Sequence, residues 1–430
     1  MFLLALVVIV AALLLVFGFE MFLVLGVPAL MTKQFFFGSL PDPVVVQKIV
    51  GGINHSTLLA IPFFILAAEL MGEGQIARRL TGLVQALVGH RRGGIGYTVI
   101  GGSMAFGSVS GSAPATVAAM GRMVYPEMRA NGFSEKFSLG LIASSAETAL
   151  LIPPSIIMIV YGVAANVSIS KLFLAGVIPG LMLAALFMGY IIVWALFNKD
   201  KVPAPDARLS FVQKLYASRH LIPVVSLIVV VLGAIYSGIA TATEAAALGV
   251  AGSLILAKIE GSLNWERFKE GLVAACRVYC MIGLILAGAA FLTLAMGFIG
   301  LPRHLAEFIG ALHLSPFALM LLLIVFFIVL GCFLDGISMV VLTIAVLLPT
   351  VEAAGFDLVW FGIFIVLVVE MAQITPPVGF NLFVLQGMTR REVTWIARTA
   401  LPLFALMIVA VVMTYFVPDV VLWLPRQMQG

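Results

Sequence analysis

The sequence predicts an all-α polytopic membrane protein with two inverted repeats, each made of an amphipathic arm, a re-entrant hairpin and a helix broken at a Pro-Pro pair. Three observations lead to this fold class. Hydrophobic residues make up 62% of the 430 residues and charged residues only 10%, which is too little charge to cover a soluble domain of this length. Apolar runs long enough to cross a bilayer recur along the whole chain. Several short motifs also recur at a fixed distance.

The first element is the apolar segment 2–31, which predicts a retained transmembrane helix. No Lys or Arg precedes it and no small-residue cleavage pattern follows it, so it lacks the features of a cleaved signal peptide. Further apolar runs predict spans at 56–72, 171–197, 221–238, 241–257, 272–297 and 395–417.

Four more apolar stretches are interrupted, and the interruptions predict their shapes. The stretches 136–165 and 358–387 contain Pro-Pro pairs, which predict broken helices because proline removes a backbone donor. The stretches 94–127 and 315–350 have Gly and Ser at their centres, and each is long enough for two short helices and a turn. We therefore predict a re-entrant hairpin in each.

The chain divides into five predicted units. They are the N-terminal transmembrane helix with its connecting loop (1–55), the first repeat (56–197), a cytoplasmic loop with two linking transmembrane helices (198–271), the second repeat (272–417) and a C-terminal tail (418–430).

The charges predict the orientation. With a cytoplasmic N-terminus and a periplasmic C-terminus, most Lys and Arg residues fall in cytoplasmic loops, as the positive-inside rule requires. The net charge of +4 then reflects these loops and does not indicate a nucleic-acid partner. In this topology the arm 73–93 is cytoplasmic and the arm 298–314 is external, so the two repeats are inverted.

The repeat itself is visible as matches between residues 223 positions apart. Inverted repeats with paired broken helices are typical of the binding site of a secondary transporter. The alternative is a duplication retained for stability alone. The matching pairs are Pro126 with Pro349, Gly132 and Phe133 with Gly355 and Phe356, Glu147 with Glu370, Pro153 and Pro154 with Pro376 and Pro377, and Pro179 with Pro402.

The tip of the first hairpin is rich in hydroxyl groups. These groups, with the carbonyl groups of the turn and of the broken helix that follows, are hard oxygen ligands that suit Na⁺. Helix packing through small residues is the alternative explanation of this pattern. The sodium ligands predicted in the first repeat are Ser108, Ser110, Gly111, Ser112, Ser145 and Ile152.

The second repeat offers a corresponding set of oxygen groups. An ionisable residue at membrane depth indicates function, although Asp335 has helix capping as an alternative role. Glu147 and Glu370 are predicted to lie just outside the direct ligands of the two sites and to hold them in place. The alternative is that each glutamate only caps or fixes a broken helix. The sodium ligands predicted in the second repeat are Gly331, Asp335, Ser338, Gln373 and Thr375.

A small anion is predicted to lie between the two tips. A half-helix that begins after a break presents free N–H groups, which favour negative charge. The predicted anion-binding residues are Pro114, Pro154, Ser155, Gly336, Pro377 and Asn381.

These motifs give the chain a family resemblance over essentially its full length. It resembles the large membrane subunit of tripartite ATP-independent periplasmic (TRAP) transporters, of the ion-transporter superfamily. The segments that carry the resemblance are 107–121, 152–155, 331–338 and 374–381.

The resemblance implies properties that the residues alone do not show. It implies an elevator-type protein in the bacterial inner membrane, with a scaffold that includes 1–55 and 198–271 and a separate transport domain. It implies two partners, a small four-helix membrane subunit on a separate chain and a periplasmic substrate-binding protein. It also implies sodium-driven uptake of a carboxylate such as a C4-dicarboxylate, a keto acid or a sialic acid.

Three rival functions were considered. A stand-alone sodium–carboxylate symporter would share the architecture and need no binding protein. A membrane enzyme is disfavoured because the sequence has no Asp-rich diphosphate motif, no H-E-x-x-H and no G-x-S-x-G. A purely structural subunit is disfavoured by the hydroxyl-rich hairpin and the paired broken helices.

Overall fold

The structure, a computed structural model, covers most of the chain. The described residues are 20–36, 42–71, 93–198, 222–259, 261–300, 314–377 and 379–427, with single residues at 10, 13, 14, 82, 303, 304, 307, 309 and 312. Half of the predicted span 2–31, nearly all of the predicted arm 73–93, about half of the predicted arm 298–314 and the start of the predicted cytoplasmic loop lie outside them. The described residues form helices and no strands, so the all-α prediction is confirmed.

The N-terminal region differs from the sequence prediction. The predicted connecting loop before residue 55 contains a helix, because Pro43 lies at its second position, where no donor is needed, and Asp42 favours the positive end of the helix dipole. The Gly51–Gly52 pair lies inside this helix. The three helices here are α1 (Met21–Phe36), α2 (Asp42–Ile53) and α3 (Ala60–Met71), the last preceded by a 3₁₀ turn at Ser56–Leu59.

The first repeat has two helices and a turn at the predicted hairpin, followed by a helix broken where the Pro-Pro pair lies. Hydroxyl side chains start these helices: Ser112 and Ser134 each accept a backbone N–H one turn into the next helix. The helices are α4 (Gly94–Ser110) and α5 (Ala113–Ala130), which form the first hairpin, α6 (Glu135–Ser145), α7 (Thr148–Leu151) and α8 (Ile156–Ala164), which form the first broken helix, and α9 (Ile169–Phe197).

The linking region contains two helices and the start of a third. The predicted boundary at 271/272 falls inside one 35-residue helix, so the structure does not separate the units there. The charged residues after Trp265 belong to this helix, and the Asn264 side chain caps its start by accepting the Arg267 N–H at 2.7 Å. The helices are α10 (Ile222–Tyr236), α11 (Ala242–Ile259) and α12 (Trp265–Ile299).

The second repeat follows the same plan, and the predicted C-terminal tail contains a helix. The second hairpin has its turn at residues 332–335, and the second broken helix is interrupted between residues 374 and 379. The helices are α13 (Pro316–Gly331) and α14 (Gly336–Ala353), the second hairpin, α15 (Leu358–Gln373) and α16 (Phe380–Thr389), the second broken helix, then α17 (Val393–Phe416) and α18 (Asp419–Gln427).

Four of the described helices are each long and apolar enough to cross a membrane. They are α9, α11, α12 and α17, and the number rises to at most 7 if each bent helix pair counts as one span. One such pair is the first broken helix, which bends by 46°. Several spans therefore cross the membrane, as a multi-pass protein requires.

Packing between the two repeats is reciprocal. The first helix of each hairpin packs on the broken helix of its own repeat: α4 on α7, and α13 on α15. The second helix of each hairpin packs on a half-helix of the other repeat: α5 on α16, and α14 on α8. The two repeats therefore form one continuous core.

Glycine allows the closest of these contacts. A Cβ atom on Gly107 would lie 2.1 Å from the Cβ of Ala149, and one on Gly331 would lie 2.2 Å from the Cβ of Ala372. No side chain fits at either place unless the helices move apart. Ala149 and Ala372 are themselves 223 positions apart, so both hairpins approach their broken helices by the same means.

Candidate functional site

A cavity of about 300 Å³ lies where the two hairpin tips and the two helix breaks converge. Its polar lining comes from both tips and from the end of α15, and its apolar lining comes from the broken helices and α12. We call it the central cavity. It is lined by Gly111, Ser112, Ala113 and Pro114 of the first tip, Asp335, Gly336 and Ile337 of the second tip, Leu150, Ile156 and Ile157, Gln373 and Phe380, and Met281 of α12.

The first tip turns against the first break. Gly111 has a φ of +60°, and a Cβ atom there would lie 3.0 Å from the carbonyl oxygen of Pro154, so glycine meets both requirements. Ser112 then starts α5, since its Oγ accepts the Ala115 N–H at 3.4 Å. The tip thus places a hydroxyl and backbone carbonyl groups at the cavity without any charged side chain.

The other two serines of the first tip are engaged within the hairpin. The Ser108 hydroxyl donates to the carbonyl of Ala105 at 2.8 Å, as a serine inside a helix commonly does. The Ser110 hydroxyl has two long contacts: its Oγ lies 3.4 Å from Thr116 Oγ1, and it accepts the Ser112 N–H at 3.5 Å. Of the two, Ser110 is the one whose hydroxyl is more easily released to a ligand.

The second tip carries a carboxylate. Asp335 accepts the backbone N–H groups of Ile337 at 3.0 Å and Ser338 at 3.3 Å, and it also accepts the Ser338 hydroxyl. Capping, the alternative role considered for this residue, is therefore present in the structure. Asp335 is also the one acidic residue among the described residues that line the central cavity, so capping and ligand binding are compatible.

The second tip also contacts the second break. The Cys332 thiol donates to the carbonyl oxygen of Pro376 at 3.2 Å, and a Cβ on Gly336 would lie 3.3 Å from Nε2 of Gln373. Pro153–Pro154 and Pro376–Pro377 are both cis peptide bonds. Each hairpin tip is therefore seated on the break of its own repeat.

The hydroxyl groups at the breaks bind within the protein. The Ser145 Oγ lies 3.1 Å from the Ser103 Oγ and so joins the broken helix to the first hairpin. The Ser155 Oγ accepts the Met158 N–H at 3.5 Å and starts α8. The Thr375 hydroxyl donates to the Met371 carbonyl at 2.8 Å.

Several predicted site residues therefore lie outside the central cavity. Asn381, predicted to bind the anion, is fully buried and donates to Glu147 of the first repeat. This hydrogen bond joins the two repeats. Its acceptor, Glu147, was predicted only to support the site. The other predicted residues that do not line the cavity are Ser108, Ser110, Ser145, Ile152, Pro154, Ser155, Gly331, Ser338, Thr375, Pro377 and the fully buried Glu370.

The sequence-based prediction missed the apolar wall of the cavity. Leu150, Ile156, Phe380 and Met281 line it, and all four occur in segments where most residues are apolar. The position of two of these residues in the sequence could have identified them, because Ile156 and Phe380 each begin the half-helix that follows a break.

A second, larger cavity of about 730 Å³ lies farther along the same helices. We call it the outer cavity. One wall is a face of α2, the adjoining wall belongs to α12, and residues of α14 and of the end of α8 complete the lining. Its lining residues are Val44, Gln47, Lys48, Gly51, Gly52, His55, Val163, Ala164, Asn166, Leu286, Ala289, Ala290, Thr293, Leu294, Val341, Leu348 and Pro349.

Residues 7–420 match the family described as "Tripartite ATP-independent periplasmic transporter, DctM component". The chain belongs to this family. This membership confirms the resemblance to the large membrane subunit of TRAP transporters. It also supports a location in the membrane and agrees with the expectation that the chain is not an enzyme.

Named relatives of similar length are permeases for small organic solutes. The chain is 33% identical to the C4-dicarboxylate TRAP transporter large permease protein DctM of Pseudomonas aeruginosa, with 90% of each chain covered. It is 34% identical to the ectoine/5-hydroxyectoine large permease UehC of Ruegeria pomeroyi, with 96% of each covered. It is also 34% identical to the isethionate permease DctMQ of Oleidesulfovibrio alaskensis, covering 94% of this chain but only 64% of that protein.

Two solved transporter structures share the fold. The YdaH transporter of Alcanivorax borkumensis superposes with a TM-score of 0.64 at 12% identity, covering 94% of this chain and 96% of that one. MtrF of Neisseria gonorrhoeae superposes with a TM-score of 0.61 at 12% identity, covering 96% and 94%. At this identity the likeness concerns the fold alone.

Proposed function

We propose that this chain carries out sodium-coupled uptake of a small organic acid, delivered by a periplasmic binding protein, across the bacterial inner membrane. The observation that carries the proposal is the central cavity, which both hairpin tips and both helix breaks border. Family membership and the permease relatives support transport as the activity.

Sodium as the coupling ion is supported by the chemistry of the tips. The first tip presents hydroxyl and carbonyl oxygens, and the second presents these with the carboxylate of Asp335. Hard oxygen ligands suit Na⁺. Among the described residues no group of three or more His, Cys, Asp or Glu could hold a metal ion, so a transition-metal ligand set has no support there.

A small organic acid as the substrate is supported by the size and lining of the cavity. A volume of about 300 Å³ suits a molecule of a few carbon atoms. The half-helix α8 begins at Ile156 on its wall and α16 begins at Phe380, so both present backbone N–H groups near it. The relatives named for C4-dicarboxylate and isethionate point to the same class, and we propose a carboxylate.

The mechanism we propose is an elevator movement of inverted repeats. The transport domain would contain both hairpins and both broken helices, and the scaffold would contain α1, α2, α10 and α11. Reciprocal packing of the repeats supports a single rigid transport domain. The proposed partners are a small four-helix membrane subunit and the binding protein, with the N-terminus cytoplasmic and the C-terminus periplasmic.

The test is uptake into proteoliposomes that contain this chain and the proposed small subunit, with the proposed binding protein added outside. We expect uptake to require an inward Na⁺ gradient and no ATP. Equal uptake with K⁺ in place of Na⁺ would contradict sodium coupling. Full activity of the chain by itself would favour the stand-alone symporter.

A further inference from the structure

The outer and central cavities are arranged in the same order along three helices. On α12, Met281 lines the central cavity and Thr293 lines the outer one. On α8 the order is Ile157 and then Val163, and on α14 it is Ile337 and then Leu348. On α12 the nearest lining residues of the two cavities are Met281 and Leu286, roughly 8 Å apart at a rise of about 1.5 Å per residue. The three helices therefore line both cavities, and we call the line along them from one cavity to the other the path.

The remaining wall of the outer cavity is one face of α2. Gln47 and Gly51 lie on this face one turn apart, and His55 follows just beyond the end of the helix. Gly52 brings the helix against α12, because a Cβ there would lie 2.6 Å from the Cβ of Ala290. A Cβ on Gly51 would have no heavy atom within 4 Å, so this glycine leaves the cavity open.

The polar groups of the outer cavity favour an anion. Lys48 contributes a positive charge, and Gln47, His55, Asn166 and Thr293 contribute donor groups. Among the described lining residues there is no Asp or Glu. The carboxylate of Asp335 lies at the inner end of the path, in the central cavity. Charge therefore changes sign between the two levels.

We infer that the outer cavity is an entry site that binds the small organic acid on its way to the central cavity, with Lys48 as the group that attracts its negative charge. The inference rests on the proposed uptake of an anion. In the topology predicted from the sequence, Lys48 and Asn166 lie on the periplasmic side, where the binding protein would release its ligand. The small subunit and bound lipid are the competing occupants.

The electrostatic part can be tested without transport. Single cysteines are placed at Thr293 or Leu348, on two different helices that line the outer cavity, in a chain whose three native cysteines are replaced by serine. Intact cells are treated with anionic and cationic thiosulfonate reagents that do not cross membranes. We expect both sites to react from outside and to favour the anionic reagent. Lys48→Gln should lower the anionic-to-cationic rate ratio by about fivefold, the scale of a unit charge acting across roughly 10 Å.

Lys171→Gln is the matched control, because Lys171 is an exposed lysine predicted on the same side that does not line the cavity. It should leave the ratio unchanged. Absence of labelling at both cysteines, or an equal effect of the two lysine substitutions, would overturn the inference. These outcomes do not depend on sodium coupling, so they separate a failed entry site from a failed proposed function.

A second variant tests whether the substrate occupies the outer cavity, by filling part of that cavity with a side chain. Gly51→Leu should slow uptake at low substrate concentration and leave the melting temperature of the purified chain unchanged, because its side chain enters open space. Gly189→Leu, also at a helical glycine with open space around its Cβ position, is the control and should not change uptake. Normal uptake by the Gly51 variant would show that the substrate bypasses the outer cavity.

Discussion

The two hairpin tips share one backbone design and differ in charge. Ser112 and Asp335 are 223 positions apart, and each starts the second helix of its hairpin by accepting backbone N–H groups. Ser112 does so with a neutral hydroxyl, whereas Asp335 does so with a carboxylate that lines the central cavity. The same local structure is therefore built from two chemically different residues.

The two sodium sites that we propose at the tips would therefore be unequal. At the first tip a sodium ion would meet only hydroxyl and carbonyl dipoles, but at the second it would also meet a full negative charge. Attraction between charges is stronger in a low-dielectric interior than in water. The packing of the tips should thus be equivalent, while their sodium affinities should differ, with tighter binding at the second tip.

The largest effect should come from breaking the packing that the two hairpins share. Gly107→Leu and Gly331→Leu each force a side chain into a contact that leaves about 2 Å for a Cβ atom. Each should destabilise the chain by about 3 kcal/mol or more and abolish uptake. Melting temperature and uptake measure this, with Gly189→Leu as the control. A clear tolerance of one substitution but not the other would refute the equivalence of the hairpins.

The next largest effect should come from removing the charge of the second tip. Asp335→Asn keeps a capping oxygen, so expression and melting temperature should change little. The Na⁺ concentration for half-maximal uptake should rise by about tenfold to a hundredfold, because a charge-assisted ligand is worth about 1.5–3 kcal/mol. Asp357→Asn, at the exposed cap of α15, is the matched control. An unchanged sodium dependence would mean that Asp335 acts only as a cap.

A smaller effect is expected when the first tip is made like the second. Ser112→Asp retains capping and adds a carboxylate at the cavity. It should lower the Na⁺ concentration for half-maximal uptake by about threefold to tenfold, as a charged ligand replaces a neutral one. The measurement is the sodium dependence of uptake. Ser134→Asp, at the cap of α6, is the matched control. Loss of anion binding at all sodium concentrations would argue that no cation binds at this tip.

The smallest effect should come from a single hydroxyl. Ser110→Ala removes a hydroxyl with two long contacts inside the hairpin, at 3.4 and 3.5 Å, so the fold should be retained. If this hydroxyl coordinates sodium, the half-maximal concentration should rise about threefold, which corresponds to ~0.7 kcal/mol. Ser108→Ala is the comparison, since its hydroxyl is held by the Ala105 carbonyl at 2.8 Å. Identical behaviour of the two variants would remove Ser110 from the ligand set.

The features that the sequence predicted well are those set by local backbone chemistry. Gly111 and the Pro-Pro pairs dictate a turn and two breaks, and the structure has its interruptions at these residues. The helix α2 was not predicted, although Pro43 and Gly51–Gly52, which are common in turns, are compatible with it. Pro43 lies in its first turn and the two glycines lie in its last turn.

The features that the sequence could not predict depend on contacts between distant segments. The hydrogen bond from Asn381 to Glu147 joins residues 234 positions apart, and nothing near either residue indicates its partner. Likewise, whether a serine of the first tip faces the cavity depends on how the hairpin sits on the Pro154 carbonyl. Of the three predicted serines, only Ser112 lines the cavity.

Reciprocal packing also has a consequence for how the chain is made. Helices α5 and α8 of the first repeat pack on α16 and α14 of the second, which leave the ribosome much later. During synthesis the first hairpin therefore lies in the membrane for a time without its final neighbours. In that interval its polar turn is unpaired, which exposes the hairpin to misfolding and degradation. The packing between the two repeats can be completed only after residue 389, at the end of α16, has been inserted. Termination before that point should leave a first repeat that enters the bilayer but never matures.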